Sequence, residues 1–121
     1  MEQLARLVNE DARLVWRGRY VATTFLVEVG DVAWLITIDA GRIASVRRGP
    51  FVMPTWSFAL RASREAWEQF WQADPPPGSH DLFALAKRRA LRIEGDLHPF
   101  MSNLLYFKDV MAALRAREVR Q

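Results

Sequence analysis

The sequence predicts an α+β domain: a five-stranded, mostly antiparallel sheet covered on one face by helices, in the order α-ββββ-α-α-β-α. Three observations carry this. The apolar period is helical over residues 2–16, switches to two between Arg19 and Arg61, and returns to helical after Ser63. Short Gly-containing turns, Gly30-Asp31 and Asp39-Ala40-Gly41, punctuate the period-two region. The chain has 121 residues, 50% of them apolar and 26% charged. That is one domain, 1–121, long enough to bury a core.

Taken in order, residues 2–16 place Leu4, Leu7, Val8, Leu14 and Val15 near one helix face, interrupted by Asp11. In Tyr20–Val29 the residues Val21, Thr23, Phe25, Val27 and Val29 point one way, and in the next run Val32, Trp34, Ile36 and Ile38 do so. Arg42–Arg48 is a third strand, ended by Gly49-Pro50. After the apolar loop Phe51-Val52-Met53-Pro54, Trp56, Phe58 and Leu60 alternate with Ser57, Ala59 and Arg61. Four such strands in succession imply an antiparallel meander. Ser63 is placed to cap a helix over Arg64–Gln72, with Glu65 in its first turn and Trp67, Phe70 and Trp71 on one face. Ala73-Asp74-Pro75-Pro76-Pro77-Gly78 stops it. Ser79 is placed to cap a second helix over His80–Arg88 that buries Leu82, Phe83 and Ala86. Ala90–Glu94 alternates as a fifth strand, and Asp96 is positioned to cap a last helix reaching Arg117. In that helix Leu97, Phe100/Met101, Leu104/Leu105, Lys108, Met111 and Leu114/Arg115 follow a 3.6 period, widened by Phe107 and Val110.

Composition excludes several chemistries. With no cysteine there is no disulfide, thiolate nucleophile or iron–sulfur site. No apolar run reaches the ~18–20 residues of a membrane span. The charged start Met1-Glu2-Gln3-Leu4-Ala5-Arg6 has no apolar leader core, so a cytoplasmic protein is expected. The net charge is +3, carried by fifteen arginines against two lysines. Arg17/Arg19, Arg47/Arg48, Lys87/Arg88/Arg89 and Arg115/Arg117/Arg120 cluster. They read either as solvated surface or as a docking patch for anionic headgroups. No helix-turn-helix, zinc-finger or RNP-type pattern accompanies them, so nucleic acid is not expected. His80 and His98 lack a third ligand for a zinc site. No phosphate-binding loop, nucleophile elbow or paired-carboxylate motif is present. No catalytic residue, metal or cofactor is expected, and the chain is not read as an enzyme.

The segment Trp56-Ser-Phe-Ala-Leu-Arg-Ala-Ser63, followed by Trp67-Glu-Gln-Phe70, Asp81-Leu82-Phe83 and Leu91-Arg-Ile-Glu-Gly-Asp96-Leu97, resembles the sterol carrier protein 2 superfamily of lipid-binding domains. The Gly95-Asp96 step before the last helix is the most specific element. The resemblance implies a five-stranded sheet with helices over an apolar tunnel, non-catalytic binding or transfer of a sterol, fatty acyl chain or similar lipid, and a structural, capping role for Asp96. The terminal Glu118-Val119-Arg120-Gln121 is not a peroxisomal signal of the kind some relatives carry.

The fourteen aromatic rings admit two readings. They fill a closed core, or some line a ligand cavity between the sheet and the last helix. On the second reading the lining residues are Trp34, Ile36, Met53, Trp56, Phe58, Phe83, Phe100, Met101, Leu104, Phe107 and Met111. The partners expected are a lipid or other apolar small molecule, with transient contact to an anionic membrane surface and homodimer formation as further options. Phe51-Val52-Met53 either tucks inward or forms a lip at the cavity mouth. On the first reading the chain is a non-catalytic accessory or dimerisation domain with a filled core.

Overall fold

The computed structural model describes residues 1–115. Their elements are α1 (Leu4–Asn9), α2 (Ala12–Arg17), β1 (Ala22–Val29), β2 (Val32–Asp39), β3 (Arg42–Arg48), β4 (Phe58–Ala62), α3 (Arg64–Phe70), α4 (Leu82–Lys87), β5 (Leu91–Gly95), α5 (His98–Ser102) and α6 (Leu104–Ala112). The strands form one mixed sheet in the order β3-β2-β1-β4-β5. The α+β class and the strand count expected from the sequence are those observed.

The expected four-strand meander holds only for β1 to β3. Strand β4 does not add to β3; it lies parallel to β1, pairing Phe25 with Phe58 and Val27 with Leu60. Two features accompany this placement. At Ile43 the outer edge of β3 is taken by the Asn9 side chain, which accepts from the Ile43 N–H (2.7 Å) and donates to the Ile43 carbonyl (3.0 Å). The parallel placement also joins the large apolar side chains of β1 and β4 into one inner face. The connection 49–57 crosses the outer face, where Phe51 and Trp56 pack on Leu26, Leu35, Ala59 and Ala33.

The predicted N-terminal helix is two helices. Asp11 adopts extended backbone and its carboxylate accepts from the Leu14 N–H at 3.2 Å, so the residue that interrupts the apolar face is the cap of α2. Ser63 caps α3 as expected, accepting from the Ala66 N–H at 3.0 Å. Ser79 does not cap α4. Asp81 holds the cap position without a side-chain bond, and the buried Ser79 hydroxyl instead donates to Gln69 and accepts from Arg88.

The single C-terminal helix expected from the period is also divided. Asn103 leaves helical geometry (φ −130°, ψ 39°) and its amide donates to the Pro99 carbonyl at 3.0 Å. On α5 Phe100 is buried while Leu97 before it and Met101 are exposed, and on α6 Tyr106, Phe107, Val110 and Met111 are buried while Leu105 is exposed. Helix α6 ends at Ala112, short of Arg117. Arg117, Arg120 and the terminal Glu118-Val119-Arg120-Gln121 lie outside the described residues. At the start of α5 the cap position falls to Leu97, without a side-chain bond, and not to Asp96 as expected; Asp96, one residue earlier, accepts from the His98 N–H at 3.1 Å.

Tyr106 locks α6 to the sheet. Its ring lies where a Cβ on Gly18 would be, 2.2 Å from the ring carbon, and its hydroxyl donates to the Gly41 carbonyl at 2.7 Å. Burial pushes this phenol up to about 12. Ala40 and Gly41 both have positive φ, 53° and 81°, the pattern of a two-residue hairpin turn that follows strand twist.

Candidate functional site

The sheet–helix interior is built on four phenylalanines. Phe25 and Phe58, neighbours across the parallel pair, stack at 5.0 Å. Phe107 stands edge-on to both, at 5.4 and 5.1 Å. Phe100 closes on Phe58 at 5.2 Å and on Phe107 at 5.9 Å. These are spacings of rings in contact, so no lipid-sized gap lies among the four.

Of the residues expected to line a cavity, Ile36, Phe58, Phe100, Phe107 and Met111 are fully buried in this interior. Trp34, Phe83 and Leu104 are partly buried, the last two packed against it. Three others lie elsewhere. Trp56 precedes the first residue of β4, so strand alternation does not govern it, and it packs on the outer face of the sheet. Met53 is 91% exposed at the tip of the 49–57 connection, and Met101 is 51% exposed on α5, which turns its neighbour Phe100 to the core instead. The apolar triplet before Pro54 is split: Phe51 tucks onto the outer face, and Val52 and Met53 project.

A cleft of about 220 Å³ opens where the sheet meets α3, lined by Met1, Val29, Val32, Trp34, Arg48, Arg64 and Trp71. Val29, Val32 and Trp34 come from the ends of β1 and β2 that meet at the Gly30-Asp31 turn, in cross-strand register with Val32, Val29 and Val27. Trp71, just past α3, is fixed from behind. It stacks on Trp67 at 5.2 Å, and its N–H donates to the Met111 carbonyl at 2.9 Å. Trp67 is held in turn by a 2.9 Å bond to the Glu28 carbonyl. The Arg48 guanidinium lies 5.8 Å over the Trp34 ring, within cation–π range. Behind Trp71 are Trp67 and Met111, so this cleft is an open end of the sheet–helix layer. Val29, Val32, Arg48, Arg64 and Trp71 were not among the expected lining residues. The shared face of Val29, Val32 and Trp34 was the available signal, and the approach of α3 was not legible.

The cleft's ionisable side chains are arginines, which bind anions but do not exchange protons near neutral pH. The arrangement can hold an apolar body and pair an anionic end. Met1 lines the same cleft, and burial lowers the pKa of its amino group. The opposite face of the sheet carries an ion network. Arg61 donates to Glu94 and Glu28, both at 2.8 Å. Its hydrogen bond to Glu94 raises the Arg61 pKa, and the same bond lowers that of Glu94. Alternation had put Glu94 on this polar side.

No helix of the described residues is long and apolar enough to cross a membrane. No family model and no curated protein matches the sequence. Solved structures do match. Sterol carrier protein 2 is similar with a TM-score of 0.76 at 12% identity, over 97% of this chain and 94% of that one. Sterol carrier protein domain 2 of Helicoverpa armigera is similar with a TM-score of 0.58 at 12% identity, over 98% and 91%. A sec-alkylsulfatase from Pseudomonas sp. is similar with a TM-score of 0.56 at 14% identity, over 86% of this chain and only 14% of that enzyme. The match to the two sterol carrier protein structures over nearly the whole chain, at 12% identity, shows that this chain has the sterol carrier protein 2 fold.

Proposed function

We propose that this chain is a non-catalytic binding domain for an apolar ligand with an anionic end, such as a long-chain fatty acid, which enters at the cleft between Trp34 and Trp71. The carrying observation is the cleft itself: an apolar wall of Val29, Val32, Trp34 and Trp71 with Arg48 and Arg64 as its ionisable side chains. The fold shared with sterol carrier protein 2 supports the ligand class. At about 220 Å³ the cleft is smaller than the ~300–1,000 Å³ typical of sites for drug-sized molecules. It accepts one end of a chain, and deeper entry requires Trp71 to turn away from Met111. Apolar burial then drives binding at roughly 25 cal/mol per Å², offset by ordering costs.

Native mass spectrometry of protein purified from cells, with a tryptophan-fluorescence titration by oleate, tests this. A co-purifying lipid and saturable quenching are expected, with Trp71→Ala and Arg48→Gln each weakening uptake. Absence of both a bound lipid and a fluorescence change would refute it. That result would favour the second reading, an accessory or dimerisation domain with a closed core. The closed contacts of Phe25, Phe58, Phe100 and Phe107 support that reading, and light scattering would test its assembly.

A further inference from the structure

The outer face of the sheet, away from the helices and the cleft, carries a groove of about 410 Å³. That volume lies within the ~300–1,000 Å³ of small-molecule sites. Its floor comes from three strands in register. Thr24 of β1 lies opposite Thr37 of β2, and Leu35 of β2 lies opposite Arg47 of β3. Strand alternation turns these four side chains to the same outer face. One wall is the 49–57 connection, from Pro50 to Thr55. Phe51 anchors that wall on Leu26, Leu35 and Ala59. Prolines 50 and 54 limit its conformations.

The lining is rich in donors and contains no carboxylate. Arg47 brings five N–H donors. Among the described residues it has no carboxylate within ion-pair distance. Its guanidinium stands 5.7 Å over the Phe51 ring, a cation–π contact that places it beside the wall. The Thr24 and Thr37 hydroxyls lie 3.2 Å apart. One donates to the other, and the second keeps its proton for another acceptor. Among the described residues, the backbone N–H groups of Phe51, Val52 and Thr55 donate to no backbone acceptor. Of the acids on this face, Glu28 and Glu94 are each bonded by Arg61 at 2.8 Å, and Asp39 is in register with Arg42.

We infer that this groove binds a small, water-soluble phosphomonoester, its phosphate paired with the Arg47 guanidinium and its polar body lying along Thr24, Thr37 and Thr55. A guanidinium presents parallel N–H groups that fit phosphate oxygens in pairs. The third phosphate oxygen then meets the free threonine proton or an N–H of the wall. A carboxylate, with two oxygens, uses the guanidinium alone. The hydroxyls along the floor need hydrogen-bonding partners, which an alcohol or sugar supplies and an acyl chain lacks. The groove is thus separate from the cleft in position and in ligand chemistry.

The test is a titration of the full chain with glycerol 3-phosphate, read by calorimetry and by backbone amide shifts. Saturable binding is expected, with shifts centred on Thr24, Thr37, Arg47 and Thr55. Glycerate and inorganic phosphate should each bind about fivefold more weakly. Arg47→Gln should weaken glycerol 3-phosphate binding about tenfold, and Thr37→Val about threefold. Both variants should melt like the parent, since Arg47 is exposed and valine suits a strand. No saturable binding, equal affinity of parent and Arg47→Gln, or shifts confined to Trp34 and Trp71 overturns the inference. So does binding of glycerate or inorganic phosphate as tight as that of the ester, because Arg47 would then be a plain anion contact. Oleate should leave the groove amides in place; an oleate shift at Thr24 and Thr37 would overturn the assignment to a polar ligand.

Discussion

Replacing Phe107 with Ala probes the closed interior most directly. The ring is fully buried and touches Phe25, Phe58, Phe100 and Tyr106 at centroid distances of 5.4, 5.1, 5.9 and 5.3 Å. Burial of ~150–250 Å² per aromatic side chain at ~25 cal/mol per Å² corresponds to roughly 4–6 kcal/mol. Measured Phe→Ala losses in cores run about 3–5 kcal/mol, the cavity included. The two routes meet near ~4 kcal/mol, a large share of a typical ~5–15 kcal/mol stability. With an unfolding entropy of ~2.1 cal/mol/K per residue, a chain of this length should melt roughly 16 °C lower. The assay is reversible thermal unfolding with and without benzene. An apolar void of this kind stays dry and takes up benzene, so benzene should raise the Tm of Phe107→Ala and leave the parent unchanged. A loss below ~1 kcal/mol, or an equal benzene shift in the parent, would mean that the four rings do not close on one another.

Tyr106→Phe removes the hydroxyl bond to Gly41 and leaves that carbonyl unpaired, so a loss of ~1–3 kcal/mol is expected by denaturant titration. The raised Tyr106 pKa has a definite sign in the parent. The unfolded phenol releases its proton from about pH 10, whereas the folded one holds it to about 12. Stability therefore falls as pH rises through that window, and Tyr106→Phe should flatten that fall. At the acid end the lowered Glu94 pKa contributes stability that is present above the unfolded value and lost as pH falls through the folded one. Glu94→Gln should show a shallower acid limb in pH-dependent melting. Ser63→Ala should cost ~0.5–2 kcal/mol through the lost cap on Ala66, read as faster hydrogen exchange in α3.

Wherever the pattern was local, the sequence was informative. Ser63 and Asp96 were legible as helix-start residues because a side-chain oxygen reaches N–H groups two or three residues away. The Gly30-Asp31 and Ala40-Gly41 turns were legible because two residues joining period-two runs leave few alternatives. The inward faces of Phe25/Val27 and Phe58/Leu60 followed from strand alternation, as did the outward side of Glu94. Trp56 failed because alternation ends where the strand ends. Met101 failed because it neighbours Phe100 on the short helix α5, where Phe100 faces the core and Met101 turns to solvent. Ser79 failed because Gln69 and Arg88, from two other elements, claimed its hydroxyl. The arrival of β4 beside β1 was not legible either: the edge that a meander would have used is met at Ile43 by Asn9, thirty-four residues away.

By itself, then, the sequence determined the α+β class, five strands, most element boundaries and an aromatic interior, because propensity, period and capping act over a few residues. Tertiary structure alone decided which edge β4 joined and that Phe25, Phe58, Phe100 and Phe107 close on one another. It alone set Trp34 and Trp71 across an open cleft and left Val52 and Met53 in solvent. Those outcomes depend on contacts between segments far apart in the chain, and such contacts leave no period in the sequence.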